Sequence, residues 1–164
     1  MIYRVFAQAQ NGRVNLAQLV QNARMHFEAS VEVLQQEGLV EDATEALTSE
    51  ARPWVRLRLS SVRRGFSAIL RVTCRSATSE DWEGAQRAER NGRAAGMGLL
   101  AARCGAVWDV EPEGEPSVPA LLNLCALLAS VALGPVLPPD EETLFGIRGA
   151  MERLDALTGR SLAR

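Results

Sequence analysis

Few residues in this chain could do chemistry. His26 is the only histidine, and it stands between Met25 and Phe27 with no cysteine or aspartate at ligand spacing. Any histidine-based triad, proton shuttle or metal site would have to use it. All eighteen basic residues are arginine, which removes lysine Schiff-base chemistry and the phosphate-binding lysine of nucleotide loops. Cys74, Cys104 and Cys125 are odd in number, widely spaced and set among apolar neighbours, so they read as reduced core thiols. Glu80, Asp81 and Glu83 form a run of carboxylates, but behind Thr78 and Ser79 they read as the capped first turn of a helix. No Gly-x-Ser-x-Gly elbow occurs. Neither a catalytic set nor a cofactor or metal site is expected.

Arginine placement carries more information. Residues 52–103 hold eleven arginines against four acids, whereas 26–50 and 105–147 are acidic. Around residues 54–75 the period is two: Val55, Leu57 and Leu59 alternate with Trp54, Arg56, Arg58 and Ser60, and Phe66, Ala68, Leu70, Val72 and Cys74 oppose Ser67, Ile69, Arg71, Thr73 and Arg75. If the apolar set faces the core, Arg56, Arg58 and Arg71 lie together on the opposite sheet face, with Arg4 of the first strand a candidate neighbour. Such a face could dock an acidic partner, since arginine contacts carboxylates and phosphates bidentately. Alternatively, Asp109 or the acidic loop at 111–115 neutralises the same arginines within the molecule.

Two motifs match by letter. Gly96-Met97-Gly98-Leu99-Leu100-Ala101 has the spacing of a dinucleotide fingerprint but follows a helical stretch, where the fingerprint requires a strand. Its glycines, with Gly92, Ala94, Ala95 and Ala102, are expected instead to form a small-residue helix face pressed against the sheet or another helix. Arg64-Gly65-Phe66-Ser67-Ala68-Ile69-Leu70-Arg71 resembles the start of the RNA-recognition-motif signature, with Tyr3 on the first strand where that family keeps another stacking aromatic. The resemblance implies RNA stacking on an open sheet. Ala68 and Arg71 stand where the signature has further aromatics, and the pleat puts Phe66 and Ala68 on the apolar side.

The elements that must position these residues follow from periodicity. Residues 2–9 read as a strand, Asn11-Gly12 as a turn and 15–36 as an amphipathic helix ended by Gly38. Residues 41–50 are acidic and weakly helical. Residues 54–75 form a β-hairpin turned by Arg63-Arg64-Gly65. A helix is expected from about residue 79 to 103, a strand at 106–110, an apolar helix at 119–133, and a last helix capped by Asp140 with Leu144, Ile147, Met151, Leu154 and Leu157 as its stripe.

The order β-α-β-β-α-β predicts an α+β fold: a single domain with a ferredoxin-like core at 1–111 and a two-helix extension at 117–159. The apolar helix, about fifteen residues and roughly 22 Å long, falls short of the roughly 30 Å bilayer core, and no secretory leader is evident in Met1-Ile2-Tyr3-Arg4-Val5. A net charge of −2 drives no wholesale attraction to nucleic acid or membrane. The expectation is therefore a bacterial-type cytoplasmic protein-interaction domain, an adaptor, inhibitor or immunity-type partner, with enough apolar helix to support homodimerisation. Two further expectations stand beside it: nucleic-acid binding by the degenerate RNA-recognition-like sheet, and small-molecule sensing in a pocket between sheet and extension lined by Met97, Trp108 and Leu121.

Overall fold

A computed structural model of the chain describes residues 1–8, 15–37, 52–92 and 94–159. Its core is one antiparallel sheet of β1 (Tyr3–Ala7), β2 (Ser30–Glu37), β3 (Trp54–Ser61), β4 (Phe66–Ser76), β5 (Ala106–Pro112) and β6 (Val136–Leu137), in the order β2-β3-β4-β5-β1-β6. The fold is thus α+β, with five helices among the described residues: α1 (Leu16–His26), α2 (Ser79–Gly92), α3 (Met97–Ala102), α4 (Val118–Ala132) and α5 (Ile147–Leu157). The expected ferredoxin-like core differs from this sheet. A ferredoxin-like sheet is antiparallel too, as is every pairing among the described residues, but it sets its first strand beside its third and its last strand outside the first. β5 inserts between β1 and β4, and six strands replace four.

The hairpin forms as its alternation requires. Val55, Leu57, Leu59, Leu70, Val72 and Cys74 are fully buried, with Leu57 opposite Leu70 and Val55 opposite Val72. Gly65 turns the chain at φ 73°, a left-handed conformation that glycine adopts at little cost.

α4 lies at the centre of the structure. Eleven of its fifteen residues are buried, and it shares one core with α1, α5 and the inner faces of β1, β3, β4 and β5. Ser117 caps it, its side chain accepting from the amide of Ala120, and Leu133 closes it in the left-handed region at φ 59°. Its one buried polar side chain, Asn123, donates Nδ2 to the Phe27 carbonyl at 3.3 Å, satisfying a backbone acceptor at the exit of α1. No helix of the described residues is long and apolar enough to cross a membrane.

A smaller second core forms on the other side of the sheet, where α2 and α3 cover Phe6, Val107 and Leu137. The expected single helix over 79–103 is broken: α2 ends at Gly92, and Gly96, at φ 89°, caps the start of α3. The glycines do serve close approach. A Cβ on Gly92 would collide with Thr143, and one on Gly98 with Glu89 of α2.

Three other expectations change. The helix expected over 15–36 stops at His26, because Glu28 reverses the chain at φ 53° and Ser30–Glu37 becomes the edge strand β2. The last helix starts at Ile147, not at Asp140, because Val136 and Phe145 exchange backbone hydrogen bonds of 2.7 and 3.2 Å. Leu144 therefore packs in the second core and not on the α5 stripe. The Asn11-Gly12 turn, the Gly38 terminator and the acidic segment 41–50 lie outside the described residues.

Candidate functional site

The two helical layers cover the sheet unequally. One face is covered by α1, α4 and α5 over most of its area, while α2 and α3 screen only the β5-β1-β6 side of the other. Among the described residues no helix covers the outer face of β2, β3 and β4, and that face carries the arginines.

Arg56, Arg58 and Arg71 alternate with buried neighbours and so point to this outer face. Arg56 stands directly opposite Arg71, a like-charge juxtaposition that costs stability unless something holds the charges. Both are held. Arg56 pairs with Glu113 of the acidic loop, and the Arg71 guanidinium lies 4.3 Å from the centre of the Trp54 ring, within cation–π range. The Trp54 indole donates in turn to Glu37 at 3.2 Å, and Arg58 reaches Glu32 of β2 at 3.0 Å. Neutralisation within the molecule, weighed above as the alternative, is therefore present: the uncovered face is a lattice of alternating charge around one aromatic ring.

Arg4 lies apart from these three, because β5 separates β1 from β4. It sits at the far end of the same face, 3.5 Å from Asp81. Asp81 is 2 % exposed and anchors a dense network there. It accepts from Arg75 Nη1 at 2.6 Å and Nη2 at 2.8 Å, and from the Thr78 amide at 2.8 Å and hydroxyl at 3.0 Å. The Asp81 amide returns a bond to Thr78 Oγ1 at 3.4 Å, so a Thr-x-x-Asp capping box starts α2 as the sequence suggested. Arg75 also donates to both carboxylate oxygens of Asp109. Sequence reasoning placed Arg75 on this face but missed its role. The signal was there: Thr78-x-x-Asp81 fixes a carboxylate at the end of β4, next to Arg75.

Burial alone would raise the Asp81 pKa, but the hydrogen bonds from Arg75 and Thr78 outweigh it and hold the carboxyl below its ordinary value. A carboxyl with a lowered folded pKa contributes stability that is present above its unfolded value of about 4 and is lost as pH falls through the folded one. Acidification below about pH 4 should therefore lower the melting temperature of the wild-type chain more steeply than that of an Asp81→Asn variant, as differential scanning fluorimetry across pH would show. Parallel acid profiles would mean that Asp81 is no more tightly held in the fold than in the unfolded chain.

The residues expected to line a ligand pocket do not meet. Trp108 and Leu121 are fully buried in the main core, while Met97 packs on the opposite side of the sheet. Phe66, Ala68 and Tyr3, the stacking positions implied by the RNA-recognition resemblance, also face the main core and not the uncovered face. His26 ends α1, and among the described residues no group of three or more histidine, cysteine or acidic side chains is arranged to hold a metal. The three cysteines are buried and not disulfide-bonded to one another, and burial pushes the Cys104 thiol up to about 11. No protein-family model, curated protein or solved structure matches the chain.

Proposed function

We propose that the chain is a non-catalytic protein-interaction module, an adaptor, inhibitor or immunity-type partner, that seats an acidic protein surface on the uncovered face of β2-β3-β4. Arg56, Arg58 and Arg71 make the contacts, and Arg4 lies at the far end of the face. The observation that carries the reading is the direct opposition of Arg56 and Arg71 on an uncovered sheet. Like charges directly opposite one another on a sheet work against stability and here need Glu113 and Trp54 to offset them; local sequence choices of this kind concentrate at functional sites.

Energetics permit the exchange that docking requires. The Arg58–Glu32 pair is largely solvated, with the two side chains 42 % and 63 % exposed, and such pairs are worth about 0–1 kcal/mol. An incoming carboxylate can replace Glu32 at little cost, while desolvation by the partner strengthens the new pair. Three buried cysteines, not disulfide-bonded to one another, support a reducing, cytoplasmic setting.

The test is capture from native lysate, with nuclease treatment, by the wild-type chain and by an Arg56→Glu/Arg58→Glu variant. The variant loses two partly solvated ion pairs, with Glu113 and Glu32, so its melting temperature should fall by no more than about 5 °C, and it should lose a nuclease-resistant protein partner. Undiminished capture by the variant would place the interface elsewhere; recovery of nucleic acid alone would favour polyanion binding.

A further inference from the structure

A cavity of about 310 Å³ opens on the other side of the sheet, between β1, α4, α5 and the loop at 138–146. Its size is at the low end of small-molecule sites, which run from about 300 to 1,000 Å³. Leu122 of α4, Phe145 and Leu157 of α5 supply apolar wall. At the polar side stand Asp140, Glu142 and Arg153. Arg153 does not neutralise the two acids: its guanidinium lies 4.2 Å from the centre of the Phe145 ring and Nη1 donates to the Gly149 carbonyl at 3.1 Å. Among the described residues neither Asp140 nor Glu142 forms an ion pair.

Tyr3 completes the site. Its ring belongs to the main core, it reaches the cavity, and its hydroxyl makes no hydrogen bond to another described residue. Burial, with smaller contributions from Cys125 and Asp140, raises its pKa, so the phenol stays protonated at neutral pH.

We infer that this cavity binds a small organic ammonium ion with an apolar body. The Asp140 and Glu142 carboxylates, which have no ion-pair partner among the described residues, attract the cation, and the Tyr3 hydroxyl oxygen can accept a hydrogen bond from it. The apolar body lies against Leu122 and Leu157. A carboxylate ligand is disfavoured, because two acids outnumber the one arginine.

Isothermal titration of the full chain tests this with three probes of one shape: phenethylammonium, neutral phenylethanol and anionic phenylacetate. Phenethylammonium should bind saturably, phenylethanol more weakly and phenylacetate not at all. An Asp140→Asn/Glu142→Gln variant with an unchanged melting temperature should bind phenethylammonium at least about fivefold more weakly. Absence of saturable phenethylammonium binding, phenylacetate binding as tight, or an unaffected variant would each overturn the assignment.

Discussion

Replacing Asp155 by alanine should destabilise the fold by about 3–5 kcal/mol, the cost of leaving one member of a buried ion pair without its partner. The Arg64 and Asp155 side chains are only 8 % and 11 % exposed and meet at 2.7 Å. Arg64 sits in the turn between β3 and β4, while Asp155 is near the end of α5, so this contact ties the hairpin tip to the last helix. Arg64 Nε is buried with no hydrogen-bond partner among the described residues, which leaves the guanidinium little else to rely on. For a chain of this size the loss corresponds to a drop in melting temperature of about 6–20 °C. The double variant Arg64→Met/Asp155→Leu should recover most of the loss, because an apolar pair avoids the desolvation cost altogether. A loss below about 1 kcal/mol for Asp155→Ala would mean that the pair is solvated and behaves as a surface contact.

Truncating Leu124 to alanine should cost about 2–5 kcal/mol, as for other fully buried leucines. Leu124 is inaccessible to solvent, and its neighbours on α4, Leu121, Leu127 and Leu128, are equally buried. Rigid helices and strands on every side limit collapse into the void, and the cost rises with residual cavity volume. Leu99→Ala on α3, where the side chain is 71 % exposed, should change stability by less than about 0.5 kcal/mol. Urea denaturation checks both: a lower midpoint at unchanged slope for Leu124→Ala, and no shift for Leu99→Ala. If α4 instead served as a surface for self-association, Leu124→Ala would alter the oligomeric state and leave the monomer's midpoint in place.

How much of this was legible in the sequence depended on burial. The hairpin was readable because Val55, Leu57, Leu59, Leu70 and Val72 alternate against polar neighbours, and that alternation also placed Arg56, Arg58 and Arg71 on one face. α4 was readable as an apolar helix between Pro119 and Gly134. Its place at the centre of the core was not, because a uniformly apolar helix does not say which neighbours surround it. β2 was misread as helix: most of its residues are exposed, so no alternation survives, and Phe27, Val31 and Leu34 fall by chance at helical spacing. β6 is two residues long, too short for any periodic signal. The strand order could not be anticipated either, since α2 and α3 return the chain to pair β5 with both β4 and β1, a long-range choice that local pattern does not encode.

The candidate site was legible to the same extent. Alternation put three arginines on one face, but their compensation by Glu32, Glu113 and Trp54 depends on β2 and on the path of the acidic loop after β5. The Asp81 network needed a cap, a strand end and β5 together. The cavity beside Tyr3 arises where the loop at 138–146 bridges back to Val136 before α5 begins, which sequence reasoning took for helix.

The central claim is that a protein partner seats on the uncovered face of β2-β3-β4, and hydroxyl-radical footprinting of the captured complex tests it most directly. Trp54 lies partly exposed on that face at the start of β3, whereas Met25 on α1 is 64 % exposed and lies on the helical side. Oxidation of Trp54 should fall in the complex relative to the free chain while oxidation of Met25 stays unchanged. An unchanged Trp54 with protection at Met25 would contradict the account and move the interface to the helical side.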